Sequence, residues 1–175
     1  MLAFGVLMSS FAALGGIVAS MLDRALGPKR AVQIEIIGTI VGIVALLGIS
    51  PAGMKFVFTV RSDAPPLWNG PLFTTAPELA FLVLGGLIAV FNTALFASSR
   101  TFLTRLIPPG QSGAFFGLYA LSGTATVWLG PLAVKVAVGT FQSQQAGNVA
   151  IAILLMVGLG ILSLTGDGGD SVQNE

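Results

Sequence analysis

Met21-Leu-Asp-Arg-Ala-Leu-Gly-Pro-Lys-Arg30, MLDRALGPKR, is the first place where an otherwise apolar chain carries charge. Before it, Leu2 to Leu22 has no ionisable side chain, a run long enough at about 1.5 Å per residue to cross a hydrocarbon core of about 30 Å. After it, Pro28 to Gly48 is rich in Ile and Val and is long enough to cross back. The charged stretch reads as a turn at a membrane surface, and that reading makes the chain an all-α membrane protein.

The residues of the turn fit this role. Gly27 can take the left-handed conformation that ends a helix, and Pro28 is allowed at the first position of the next one, where its missing N–H is no loss. Arg24 sits in the last turn of the incoming helix and complements the negative end of its dipole. Asp23 does not, and Lys29 and Arg30 are misplaced at a helix start on the same grounds. Pairing of Asp23 with Lys29 or Arg30 across the turn would cancel these misfits and is expected.

Composition points the same way. Charged residues make up 9% of the 175, against roughly 25% in soluble proteins, and 54% are hydrophobic. There is no Cys and no His, which argues against zinc, haem and Ser-His chemistry; no metal, cofactor or catalytic residue is expected. A net charge of +1, with the basic residues scattered among helix ends, gives no footprint for nucleic acid. The expected surroundings are membrane lipid and a small-molecule substrate. A cleaved signal peptide is rejected, because the first segment lacks a basic start and further spans follow.

Five spans are expected, over residues 2–22, 28–48, 76–107, 113–138 and 146–164. Glu35 lies two turns inside the second. It reads as a carboxylate near the interface paired with Arg30 or a neighbouring helix, the alternative being a proton or substrate site. Residues 49–75 form the long polar connection, broken by Pro51, Pro65, Pro66 and Pro71. Within it, Lys55 to Arg61 alternates loosely, as a short strand would. Thr75-Ala-Pro-Glu78 has the pattern of a capping box opening the third span, which stops before Pro108-Pro109. The fourth begins with Gly113-x-x-x-Gly117, a close-packing pattern, and a kink is expected at Gly130-Pro131, because Pro131 cannot donate to the Val127 carbonyl. Residues 166–175 form a polar, acidic tail expected to be disordered.

Basic residues orient the spans. Arg24, Lys29, Arg30, Arg100 and Arg105 lie on the side of the MLDRALGPKR turn, and Lys55, Arg61 and Lys135 on the other, which places the turn in the cytoplasm, the N-terminus outside and the tail inside. The 49–75 connection is then extracytoplasmic, and a bacterial inner membrane is the expected location.

Polar side chains concentrate in spans one, three and four, including Asn92, Tyr119, Ser122, Thr124 and Thr126, whereas span two has only Thr39 deep inside. Polar groups in hydrocarbon seek a cavity or a neighbouring helix, so spans one, three and four are expected to line an interior, with two and five facing lipid. Asn92 and Ser122 fall near the midplane, where secondary transporters bind substrate. Asn92, Ser122, Thr126 and Arg100 are the candidate substrate-binding residues; the plainer reading is interhelical packing for the hydroxyls and headgroup contact for Arg100.

Two stretches carry a resemblance. Asp23, Arg24, Gly27, Lys29 and Arg30 resemble the signature turn between the second and third helices of each half of the major facilitator superfamily, with Ala19 in place of the upstream Gly and Arg24 at the strict Asp position. Ser99-Arg100, Arg105, Pro108-Pro109-Gly110, Phe115-Phe116-Gly117, Tyr119-Ala120-Leu121-Ser122-Gly123 and Leu129-Gly130-Pro131 closely resemble the vacuolar amino-acid effluxers linked to autophagy and their bacterial relatives, as does Leu72 to Phe81. The resemblance implies helices eight to twelve of a twelve-helix secondary transporter of amino acids, exporting by alternating access. It makes Asp23 to Arg30 a gating loop and Gly130-Pro131 a hinge, and implies a missing N-terminal half in cis or in trans. The competing expectation is a non-transporting fragment or accessory subunit; an enzyme is a distant third, since Ser122 has no evident base.

Overall fold

Charge and proline set the helix ends in the computed structural model, which describes residues 2–50, 53–54, 60–61, 75–108 and 110–165. Helix α1 (Leu2–Leu26) stops at Gly27, whose φ of 82° a side chain would strain, and α2 (Pro28–Leu47) begins at once with its proline in the first turn. The junction stays hydrogen-bonded: the Gly27 N–H donates to the Asp23 carbonyl at 3.2 Å and the Ala31 N–H to the Gly27 carbonyl at 3.0 Å. Three two-residue strands follow, β1 (Ile49–Ser50), β2 (Gly53–Met54) and β3 (Val60–Arg61). They form a small antiparallel sheet in the order β1-β2-β3, with Ile49 opposite Met54 and Gly53 opposite Arg61. The rest of the 49–75 connection and the 166–175 tail lie outside the described residues.

Helix α3 (Ala76–Leu106) opens on Thr75, whose N–H donates to Glu78 Oε2 at 3.3 Å, and closes at Ile107, which turns extended before Pro108. The fourth span is two helices, α4 (Ser112–Thr126) and α5 (Leu129–Phe141). The interruption falls at Val127 and Trp128, one turn before Pro131, where the Val127 carbonyl loses its donor. Both residues keep right-handed helical torsions, and the ladder resumes with the Leu132 N–H on the Trp128 carbonyl at 3.0 Å. Helix α6 (Gln144–Leu164) closes the described chain.

Among the described residues four helical stretches are long and apolar enough to cross a membrane: Pro28–Leu47, Glu78–Leu106, Ser112–Phe141 and Gln144–Leu164. The chain is an all-α membrane protein. Helix α1, with 25 residues, is the stretch expected as the remaining span.

Helix α3 packs against both α1 and α2, and α2 packs in turn against α6, which carries α5 on its other side. Lipid and core side chains are equally apolar, so tight approach of backbones, more than expulsion of water, holds such contacts. Gly15 is the clearest case: a Cβ there would stand 2.5 Å from the Val90 carbonyl oxygen and 2.8 Å from Thr93 Cβ.

Two expectations are reversed. Helix α2 does not simply face lipid; Ala31, Val32, Glu35, Ile36, Thr39, Gly42 and Ile43 are buried, and beyond Arg30 only the stripe of Ile34, Ile37, Val41 and Val44 is exposed. Its small residues on one face let α1, α3 and α6 close round it. The Gly113-x-x-x-Gly117 face is open, with nothing within 4 Å of a Cβ at either glycine, and α4 has no buried residue.

Candidate functional site

Asn92 projects from α3 and is exposed, as is Arg100 two turns further on. On α4, Ser122 Oγ donates to the Tyr119 carbonyl at 2.9 Å and Thr126 Oγ1 to the Ser122 carbonyl at 2.8 Å. Both hydroxyls are thus satisfied by their own helix, keep acceptor capacity, and remain exposed. What joins the two helices is a contact that sequence reasoning did not single out: Ser99 Oγ and Tyr119 Oη lie 3.0 Å apart. Asn92 and Arg100 on α3 and Ser122 and Thr126 on α4 are each exposed, and they offer an amide, a guanidinium and hydroxyls, groups that hydrogen-bond a polar solute; among the described residues no cluster could hold a metal ion.

The other expected group, the charged turn, is divided by the fold. Asp23 and Arg24 line an open groove of about 430 Å³ between α1 and α3, together with Ser20, Thr101 and Arg105. Lys29 and Arg30 start α2, and the Lys29 ammonium donates to the Thr165 carbonyl at the end of α6. Asp23 Oδ1 is buried without a hydrogen-bond partner. The expected pairing of Asp23 with Lys29 or Arg30 is not formed, because Lys29 turns toward α6 whereas Asp23 turns toward α3.

Glu35 is completely buried. Of its two expected partners the structure selects the neighbouring helix: Ser98 Oγ, also completely buried, donates to Glu35 Oε1 at 2.9 Å. Glu35 Oε2 has no partner. The Thr39 hydroxyl bonds the Glu35 carbonyl at 2.9 Å, closing the backbone around the acid. Sequence reasoning missed Ser98; it lies one helical turn from Ala94, and both are completely buried, which only the structure shows.

The model of the family described as "Vacuole effluxer Atg22 like" matches residues 2–167. The chain belongs to this vacuole effluxer family. Two curated relatives agree with the assignment. "Uncharacterized MFS-type transporter YxiO" of Bacillus subtilis (strain 168) is 28% identical over 85 residues, which is 49% of this chain and 20% of that protein. "Autophagy-related protein 22-1" of Penicillium rubens is 31% identical over 81 residues, 46% of this chain and 14% of that protein. The match therefore spans a fifth or less of either relative's length. No solved structure matches the chain. Among the described residues, exposed polar groups stand on α3 and α4, and charged ones line the groove between α1 and α3.

Proposed function

We propose that this effluxer-family chain is the C-terminal part of a secondary transporter for small solutes, working by alternating access. The observation that carries the reading is the exposure of the polar residues Asn92, Arg100, Ser122 and Thr126 on α3 and α4, in a chain whose family model matches residues 2–167. Asn92, Arg100, Ser122 and Thr126 form one wall of the substrate cavity, and an N-terminal half, in cis or in trans, supplies the other. Export is the direction, on the strength of the family's description as an effluxer, and amino acids are the substrate class that the sequence resemblance implies. Five spans, counting α1, correspond to helices eight to twelve, with the N-terminus outside, the C-terminus in the cytoplasm and a bacterial inner membrane as the site.

In this scheme Asp23, Arg24, Gly27, Lys29 and Arg30 form the gating loop. Lys29 ties the start of α2 to the end of α6, while Asp23 and Arg24 face the groove that opens or closes between α1 and α3. Gly130 and Pro131 provide the hinge, since the span already lacks one helical bond there.

The test is uptake of labelled amino acids by vesicles containing the chain with and without a co-expressed N-terminal half. Accumulation only with both halves is expected, and it should fall with Asn92→Ala. Accumulation by the chain alone would overturn the two-wall reading, and none with any complementary half would favour the accessory-subunit reading.

A further inference from the structure

Glu35 is the one titratable side chain among the described residues that is completely buried in an apolar helix bundle. It lies about 10 Å along α2 from Pro28 at 1.5 Å per residue, inside the hydrocarbon region of a span that starts there. No cation faces it. Lys29, on its own helix, reaches the end of α6, and Arg30 is exposed. From α3 it meets Ser98, while Arg105 lines the groove and Arg100 is exposed. From α1 the charged groups are Asp23 and Arg24, both on the groove, which Ala97, the chain neighbour of Ser98, also lines. Helix α6 brings no ionisable side chain between Gln144 and Leu164.

A carboxylate so placed would hold a full charge in a medium of low dielectric, with one neutral hydrogen bond, which is the arrangement in which an acid binds a proton instead. A metal cation would need several more oxygen ligands than the site offers, whereas a proton needs a single oxygen, and Glu35 Oε2 is unused. Asp23 completes the picture, because it borders the water-accessible groove and also has a buried, unused oxygen, Oδ1.

We propose that Glu35, Ser98 and Asp23 form a proton-binding site within the membrane, loaded from water through the groove between α1 and α3. In loading, an O–H bond forms on Glu35 Oε2 as one breaks on a hydronium ion that enters by the groove beside Asp23, which leaves as water. Ser98 holds Oε1, which leaves Oε2 as the oxygen that changes state. The site stands without the transport reading; its use in coupling would rest on that reading.

Infrared difference spectroscopy of the full chain in lipid, with and without isotope-labelled glutamate, tests this. At neutral pH a glutamic acid carbonyl stretch is expected, shifted by the label, displaced on exchange into deuterium oxide and lost in Glu35→Gln. The label assigns the band in the unmutated chain, so a poorly folded variant does not decide the matter. Asp23→Asn should keep the band and slow its exchange, whereas Ser98→Ala should move its frequency. A carboxylate signal for Glu35 at neutral pH, an acid band that never exchanges in the folded chain, or exchange indifferent to Asp23→Asn would overturn the proposal.

Discussion

Gly15 and Gly16 are neighbours on α1, yet the structure assigns them opposite tolerance for a methyl group. At Gly16 a Cβ meets nothing within 4 Å, whereas at Gly15 it would stand 2.5 Å from the Val90 carbonyl oxygen, 2.8 Å from Thr93 Cβ and 3.2 Å from the Ala94 nitrogen. Two of those atoms are backbone, so no rotamer change relieves them; α1 and α3 must separate along their shared seam. Overpacking of this kind costs about 1–3 kcal/mol, and alanine returns roughly 0.5–1 kcal/mol of helix propensity at either position, which cancels when the two variants are compared. Gly15→Ala should be less stable than Gly16→Ala by about 1–3 kcal/mol, or roughly 5- to 150-fold in the equilibrium constant. Energy transfer between dyes on α1 and α3, followed as SDS is titrated into mixed micelles, reads the difference directly. Thr93→Gly should rescue Gly15→Ala only in part, because the shortest contact is to the Val90 carbonyl. Equal midpoints for the two alanine variants would refute the close approach of α1 to α3.

Three further outcomes are expected. Tyr119→Phe removes the hydroxyl contact with Ser99 and should cost about 0.5–1.5 kcal/mol, with greater hydrogen exchange in α4 than in α3, measured by mass spectrometry; equal protection would remove that contact as the link between them. Single cysteines at Ala25 and Gln111 should react with an impermeant thiol reagent from one side of the membrane and a cysteine at Gln145 from the other, and labelling of all three from the same side would overturn the order of spans. Pro131→Ala restores a donor for the Val127 carbonyl and should straighten the span, so spin labels on α4 and α5 should move apart, and unchanged distances would mean that something other than the proline holds the break.

The parts of this fold that were legible in sequence are those fixed by local chemistry. Gly27-Pro28, the Thr75 to Glu78 cap and the stop before Pro108 each act within a few residues, through backbone torsions and missing donors, and helix ends fall at or beside them. The central place of α2 was not legible. In water an exposed apolar stripe marks an error and a buried one marks a core, but in lipid both faces of a span can be apolar, and Ile34, Ile37 and Val41 look no different from Val32, Ile36 and Ile43. Polar content was read as a sign of a lined interior, and Glu35 with its buried partner Ser98 shows why that failed for α2: one polar pair across a tight seam hides in a helix that otherwise reads as lipid-facing. Asn92, Ser122 and Thr126 were singled out in the sequence as polar residues of long apolar helices, while the Ser99–Tyr119 contact between α3 and α4 depends on the course of the chain through the Gly110 turn. Charge balance at a turn likewise predicts a need for pairing without naming the partner, and Lys29 found the Thr165 carbonyl.

The bond between Glu35 and Ser98 sets a timetable for the ribosome. Ser98 is made 63 residues after Glu35, so at 5–20 residues per second the acid waits on the order of 3 to 13 s for its partner. Thr165, which receives Lys29, is 136 residues further along the chain than that lysine, a delay on the order of 7 to 27 s. The nascent hairpin of α1 and α2 thus has to reside at the insertion machinery, or at the edge of the bilayer, with its most demanding residue unattended. Quality control has a clear target in that interval, since a chain whose third hydrophobic helix arrives late displays an unclaimed carboxyl group to any protease or holdase that surveys the membrane.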